Sequence, residues 1–357
     1  MDNNFLVIMA GGIGSRFWPM STSETPKQFL DILGTGKTMI QQTVARIEDI
    51  IPKRNIFVVT SRYYKDIVQE QLPFLEDSQI LLEPCMRNTA PCIAYASYKI
   101  QNRCPDANII VAPSDHLITD ESGFRKTVEK ALDFTKYQNV LLTLGIDPHR
   151  PETGYGYIKS TNPKISTNEI DKVSEFKEKP DIHTAKRYLE SGGYLWNSGI
   201  FVWSASSVIE AIEKSLPEVA KLFTRGKEVY DTPSEQEYID RIYPQCQNIS
   251  IDYGILEHAD NIYVLSSKFG WSDLGTWGSL WEKRQRDNQG NSVVGSGVHL
   301  FECNNTIVTV PDERSVVLQG LNDFIVVEAN GVIMVCKKEE EQRIKEFREK
   351  VLTPNQD

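Results

Sequence analysis

No cysteine pair in this 357-residue chain has the C-x-x-C spacing of a zinc or dithiol site. Its six cysteines, Cys85, Cys92, Cys104, Cys246, Cys303 and Cys336, read as reduced core thiols. No basic n-region precedes the first apolar run, because the chain opens Met1-Asp2-Asn3-Asn4, so no secretory signal is expected. No stretch approaches the ~20 apolar residues of a membrane span. Positive charge is not in surplus either. Lys and Arg total 39 against 49 Asp and Glu, a net charge of −10, which excludes the broad basic face of a nucleic-acid binder. Two Asn-x-Ser/Thr matches, at Asn248 and Asn304, carry no weight without export. These absences describe a cytoplasmic protein with no nucleic-acid or membrane partner, in which anionic ligands must be drawn by local cations and divalent metal.

Two phosphate-binding patterns are also missing. The dinucleotide fingerprint G-x-G-x-x-G fits Gly12 and Gly14 but meets Phe17 at its third glycine, which disfavours a nicotinamide dehydrogenase. Gly36-Lys37-Thr38 imitates the end of a P-loop, yet its first glycine position is Asp31. What stands at the N-terminus is a buried-strand run, Leu6 to Ala10, leading into Gly11, Gly12, Gly14 and Arg16. Glycine backbone can bring N–H donors close to an anion, and Arg16 adds a full positive charge. Lys27, in Pro26-Lys27-Gln28-Phe29, is a second cation close in sequence. A plain tight turn is the competing reading of the glycines.

Apolar runs alternate with helical periodicity through the first half. Strands are expected at 5–10, 55–61, 79–83, 108–112 and 139–145, and helices at 38–50, 63–74, 90–103 and 122–136. This rhythm predicts an α/β fold, a Rossmann-like, mostly parallel mixed sheet with helices on both faces, and places ligands at the carboxyl ends of the strands. Beyond about residue 150 shorter strands at 155–160, 172–177, 199–204 and 262–266, with one helix at 206–215, suggest an insertion. From 292 onward five short runs recur every eight to nine residues between turn residues, the pattern of a small β-solenoid or meander, closed by a charged helix at 338–351. The expected division is 1–285 for a catalytic domain and 286–357 for a C-terminal β-helix-like segment that carries no catalytic cluster.

Several side chains carry chemistry. Asp115, in Pro113-Ser114-Asp115-His116, follows an expected strand; it is either a carboxylate for a metal on phosphate oxygens or a turn aspartate. Asp273 lies in Trp271-Ser272-Asp273-Leu274-Gly275-Thr276-Trp277, either a second metal carboxylate or a turn beside two core tryptophans. In Phe176-Lys177-Glu178-Lys179-Pro180, strand alternation puts Lys177 and Lys179 on one face; a solvated edge strand is the competing reading. Asn197, read as part of a polar loop, supplies donor and acceptor for a sugar hydroxyl or caps local backbone. Asn88 and Thr89 sit where a helix begins, so capping competes with base contact. No Ser-His-Asp arrangement is evident, which agrees with phosphoryl chemistry run by positioning and charge neutralisation.

The block A-G-G-x-G-x-R-x-x-P followed by P-K-Q-F resembles the start of the sugar-1-phosphate nucleotidylyltransferases, and within them the bacterial mannose-1-phosphate guanylyltransferases. Further resembling blocks, R-N-T-A-P, P-S-D-H, G-Y-G-Y-I, F-x-E-K-P, W-N-S-G-I-F and W-x-D-x-G-T-W, spread over residues 5–280. The resemblance implies transfer of GMP from GTP to α-D-mannose 1-phosphate, giving GDP-mannose and pyrophosphate, with Mg²⁺ as cofactor and a homodimer as the assembly. It implies nucleotide contacts from Ala10, Gly11, Gly12, Gly14, Ser15, Arg16, Lys27, Glu83, Asn88, Thr89, Ser114 and Asp115. It implies sugar-phosphate contacts from Gly154, Glu178, Lys179 and Asn197, and a metal held by Asp115 and Asp273. Arg16, Lys27 and Lys179 are the implied catalytic cations, His116 is structural because magnesium disfavours imidazole, and Asp252 matches a block without a clear role. The family includes longer enzymes with an added isomerase domain; a single activity is expected here. Other substrates (dTTP or UTP with glucose 1-phosphate) and a non-catalytic sugar-nucleotide sensor stay open.

Overall fold

In a computed structural model, residues 3–12 and 15–352 are described, without the side chain of Ser15. Two compact units emerge: one of Met1–Gly11, Thr43–Ser114 and Ile118–Trp271, the other of Gly12–Gln42, Asp115–Leu117 and Ser272–Asp357. No described helix is long and apolar enough to cross a membrane.

In chain order the strands up to the second unit's C-terminal segment are β1 (Asn4–Met9), β2 (Ile56–Ser61), β3 (Ile80–Glu83), β4 (Asn108–Pro113), β5 (Leu117–Ile118), β6 (Leu141–Ile146), β7 (Tyr157–Ser160), β8 (Ile170–Lys177), β9 (Tyr194–Ser204), β10 (Ile262–Ser267) and β11 (Trp271–Ser272). The first unit is built on a nine-stranded sheet ordered β3-β2-β1-β4-β9-β6-β10-β8-β7. β3, β2, β1 and β4 run parallel, so the chain leaves all four at one edge, where Ala10, Glu83 and Ser114 follow or end their strands. β1 and β4 are buried almost throughout, which is why they read as continuous apolar runs rather than alternating ones. The core includes Val7, Phe57, Ile93, Val111, Phe201, Trp203 and Phe223.

The second half of the sheet departs from the expected pattern. β9 is antiparallel to β4, β6 and β7. Its eleven residues begin at Tyr194, so Asn197 lies in a strand and not in a loop. The Asn-Ser-Gly sequence that imitates a loop is a kink: Gly199 takes φ +71°, the register shifts against β6, and the Asn197 and Ser198 side chains accept from Gly199 N–H and Ile200 N–H. β8 pairs with β10 on one side and β7 on the other, so it is not an edge strand. Helices Ile182–Ser191, Pro217–Thr224 and Glu235–Ile242 were not expected from the sequence. All six cysteines are free thiols.

In the second unit short parallel strands β12 (Ser292–Val294), β14 (Ile307–Thr309) and β16 (Phe324–Ala329) stack in one sheet, with β17 (Val332–Lys337) antiparallel beside β16. β13 (Val298–Phe301) and β15 (Val316–Gln319) pair in another. Ser292 faces Ile307, Ile307 faces Ile325 and Val298 faces Val316, so one coil takes 15 or 18 residues and holds two of the runs counted in the sequence. Asn304 donates to Asn322 at 2.8 Å, a side-chain rung between coils. A core of Phe17, Trp18, Ile32, Leu274, Trp277, Ile325, Met334 and Ile344 joins the 12–42 segment to these coils. Trp277 is wholly buried and lies 5.2 Å from the Phe17 ring. Trp277→Ala is expected to lower stability by about 3–5 kcal/mol, the cost of an emptied indole site. Denaturant unfolding of the full chain checks this, and a loss below about 1 kcal/mol would contradict the packing.

Candidate active site

At the carboxyl edge of the first unit's parallel strands, polar groups take over from the apolar runs. Ala10 N–H donates to Val59 O, Thr60 Oγ1 to Ala10 O, and Ser114 N–H to Met9 O, which fixes the backbone leaving β1 and β4. A Cβ on Gly11 would lie 2.9 Å from Glu83 Oε2, so glycine lets that carboxylate approach the loop. Glu83 is buried, accepts from the Tyr243 hydroxyl, and has its carboxyl pushed up to about 7 by burial, against the pull of that hydrogen bond. Asn88 sits at φ +64° and caps the helix Thr89–Arg103, its Oδ1 accepting from Thr89 N–H. Thr89 Oγ1 accepts from Ile251 N–H, and Arg87 donates to Pro244 O, so this turn is tied to the 244–251 segment. Asn88 is therefore an exposed helix cap, and the Thr89 hydroxyl accepts from backbone.

A second cluster in the same unit gathers Glu178, Lys179, Asn197 and Asp252. β8 ends at Lys177, yet burial still alternates, with Glu178 buried and Lys179 exposed. Lys179 takes φ +44°, a conformation that costs a non-glycine residue about 1 kcal/mol or more. Its ammonium lies 2.8 Å from Glu178 Oε1. Burial works to lower its pKa, but Glu178 and Asp252 together raise it, so it is held as a cation. Asn197 Oδ1 accepts from Thr143 Oγ1 at 2.8 Å and its Nδ2 donates to Asp252 Oδ1 at 2.9 Å. One N–H of the amide remains. Glu178 N–H donates to Glu257 Oε1, and a Cβ on Gly156 would stand 2.5 Å from Glu178 Oε2. Gly156 is thus where backbone comes close to the Glu178 carboxylate. Gly154, named from the sequence, lies in an exposed turn where its N–H donates to Glu152. Asp252, which had no clear role in the sequence, is a full member of this cluster.

In the second unit Lys27 is buried, and its ammonium donates to Asp115 Oδ2 at 3.1 Å and to the Asp273 carbonyl at 2.6 Å. Burial opposes ionisation of Asp115, but Lys27 and His116 outweigh it and hold the carboxyl below its ordinary range. Asp273 Oδ1 accepts from Gly275 N–H, and the next residue, Leu274, takes φ +44°. Gln28 Nε2 donates to Gly12 O at 2.7 Å, and among the described residues, chain neighbours aside, no heavy atom lies within 4 Å of a Cβ on Gly12. An open cavity of about 290 Å³ is lined by Arg16, Phe17, Lys27, Asp115, His116 and Asp273 among others. Gly14 and the side chain of Ser15 lie outside what is described. Lys345, from the C-terminal segment where no functional residue was expected, also lines this cavity.

Two carboxylates and a main-chain carbonyl are hard oxygen donors that suit Mg²⁺, and the described residues offer no cluster of three or more His, Cys, Asp or Glu for a metal. Such a donor set needs further oxygens, which substrate phosphates supply.

Known proteins resemble the chain in two stretches, whose bounds differ from those of the two compact units. Residues 6–290 match the family described as Nucleotidyl transferase, and residues 298–351 match the MannoseP isomerase/GMP-like beta-helix domain. A mannose-1-phosphate guanylyltransferase of Salmonella montevideo is 37% identical over 98% of this chain and 74% of its own length. The alginate biosynthesis protein AlgA of Pseudomonas syringae pv. tomato is 36% identical over 96% of the chain and 70% of its own length. A solved structure described as mannose-1-phosphate geranyltransferase from Thermus thermophilus superposes with TM-score 0.88 at 26% identity, covering 98% of this chain and all of that one. The chain belongs to the nucleotidyl transferase family and is an enzyme of that class.

The Asp252 carboxyl is pushed up to about 7 by burial and by the Glu178 charge, against Lys179 and Asn197. The folded protein thus keeps a proton that the unfolded chain releases near pH 4, and stability falls as pH rises from there through about 7. Asp252→Asn is expected to reduce that fall by on the order of 1 kcal/mol. Denaturant unfolding at pH 5 and pH 8 measures it; equal losses in both proteins would refute the assignment. Gly156→Ala must displace the Glu178 carboxylate; if Glu178 contacts the sugar substrate, KM for that substrate rises by about tenfold with kcat less affected, the loss of one contact to a charged group. An unchanged KM would remove Glu178 from substrate contact.

Proposed function

We propose that the protein transfers GMP from GTP to α-D-mannose 1-phosphate, releasing pyrophosphate and forming GDP-mannose. The observation that carries the reading is the separation of charge. One unit sets cations and two carboxylates around an open cavity, and the other sets the Lys179 ammonium beside Glu178, with Asp252 held by the Asn197 amide. Relatives named mannose-1-phosphate guanylyltransferase support the choice of substrates.

In this reading Arg16 meets the triphosphate, and Lys27 fixes Asp115 while sharing its positive charge with the phosphates. Asp115 and Asp273 hold Mg²⁺, which supplies charge neutralisation and alignment on phosphate oxygens. Lys179 holds the phosphate of mannose 1-phosphate, whose oxygen attacks the α-phosphorus in line. As Lys179 turns to that phosphate it leaves Glu178 and Asp252 to accept from sugar hydroxyls. Asn197 orients Asp252. Ala10, Gly11 and Gly12 offer backbone along the nucleotide, Ser114 closes the strand edge beside it, and Glu83, Asn88 and Thr89 line the base side. Glu83 offers two acceptor oxygens for the N1–H and N2–H₂ of guanine. The catalytic portion is 1–285, and 286–357 is the β-helix-like segment. The setting is the cytoplasm. A homodimer accounts for the exposed apolar Phe301, Val317, Ile333 and Val335 of the coils.

Lys179→Ala is expected to lower kcat/KM for GDP-mannose formation by roughly 10²-fold, the scale of one lost preorganised charge. Activity within threefold of wild type would refute the role. A panel of GTP, dTTP and UTP against mannose and glucose 1-phosphates, read by mass of the product, tests the substrates; a preference for another pair would replace the proposed one.

A further inference from the structure

We infer that Lys345, on the C-terminal helix Ile344–Leu352, is a further substrate-binding residue, receiving the β and γ phosphates that leave as pyrophosphate. The inference deepens the triphosphate reading above and rests on it. Lys345 lines the same cavity as Arg16, Lys27, Asp115 and Asp273. Lys27 is already committed to Asp115 and to the Asp273 carbonyl. Among the described residues that line the cavity, Arg16 and Lys345 are the Arg and Lys outside that pairing. A triphosphate carries more negative charge than one guanidinium offsets, and a second cation at its distal end is what the chemistry asks for.

The placement of Lys345 is fixed by packing. Its neighbour Ile344 is almost wholly buried in the core that holds Phe17, Trp18 and Trp277, and Phe347 packs on the same core. The helix rests on the Ser15–Phe17 turn that carries Arg16. The lysine one residue beyond Ile344 is thereby delivered to the cavity, whereas Arg343 and Lys350 are paired with Glu340 and Glu346. A compact ammonium on a flexible stem suits a phosphate group that must arrive and depart. The C-terminal segment, on this inference, completes the triphosphate site.

The test compares the full-length wild type with Lys345→Ala and Lys345→Arg in both directions. GDP-mannose synthesis gives KM for GTP and mannose 1-phosphate, and the reverse reaction gives KM for pyrophosphate. Lys345→Ala is expected to raise KM for GTP and for pyrophosphate about tenfold, the loss of one charge-assisted contact, and to leave KM for mannose 1-phosphate within twofold. Lys345→Arg should recover most of the loss, and the difference should shrink at high salt. Unchanged KM values for GTP and pyrophosphate would overturn the inference, as would an equal rise for mannose 1-phosphate. Calorimetric titration with magnesium pyrophosphate alone needs no turnover. If the wild type forms no GDP-mannose but binds pyrophosphate in a Lys345-dependent way, the activity reading fails and the anion site stands. If the wild type turns over and Lys345→Ala binds pyrophosphate as tightly, the inference alone fails. Lys345 is exposed, so both variants should melt with the wild type. Should Lys345→Ala melt lower, Lys345→Gln replaces it, with the same expected and overturning results.

Discussion

An ammonium taken out of water costs several kcal/mol unless its hydrogen bonds are replaced and its charge is met. Lys27 is such a group, and two acidic residues far apart in sequence complete it: Asp115 through a carboxylate oxygen, Asp273 through its main-chain carbonyl. Most of what surrounds the cavity depends on that arrangement. It holds Asp115 as a carboxylate despite burial, brings the backbone at Asp273 to Lys27, and leaves the Asp273 carboxylate to a neighbouring turn. The Phe17 ring lies 5.6 Å beneath the same ammonium and also packs on Trp277, so the charged site and the apolar core share a wall. A metal bound to these acids would compete with Lys27 for the same oxygens. In the proposed reading, an arriving triphosphate would give the lysine new acceptors and so couple metal and nucleotide binding through one side chain.

The sugar-side cluster follows the same logic with the signs exchanged. There a pair of carboxylates is over-supplied with negative charge and one exposed lysine serves both. That crowding pushes the Asp252 carboxyl up to about 7, so it takes up a proton more readily than an ordinary aspartate. A phosphate that draws Lys179 away would raise that tension, and sugar hydroxyls donating to the two carboxylates would lower it again. In the proposed reading, discrimination would arise because a sugar that fails to present both hydroxyls would leave a carboxylate without a donor, which costs more than a lost methylene contact. The amide of Asn197 cannot rotate to compensate, since Thr143 and Gly199 fix its oxygen.

The parallel half of the sheet was legible because burial on both faces leaves uninterrupted apolar runs, and the glycine loop after the first of them agreed with the carboxyl-edge rule; Glu83 and Ser114 were named through the family resemblance. The coils near the C-terminus were legible from the spacing of their turns. What the sequence concealed has physical causes. Asn197-Ser198-Gly199 carries loop residues because side chains satisfy a strand kink, and so a strand passed for a loop. The helices at 182–191, 217–224 and 235–242 lie where short, polar segments blur the helical period. Gly156 and Asp252 matter through what lies opposite them, and partners that distant in sequence leave no local spacing to read. Family resemblance supplied the roles of Lys179 and Asp273; local chemistry left each of them open.

Lys345 was invisible for a further reason. A lysine in a charged terminal helix is usually a solvated one, and nothing in its neighbourhood of sequence separates it from Lys350. The distinction comes from Ile344 and Phe347, whose apolar faces lock the helix onto the core that holds Phe17 and Trp277. The unit that contains the cavity is assembled from residues 12–42, 115–117 and 272–357. Its acids, its arginine turn and its terminal helix share one hydrophobic core. A change at Ile307, Ile325 or Met334, coil residues within that core, therefore reaches the charged side chains through packing before it reaches them through chemistry.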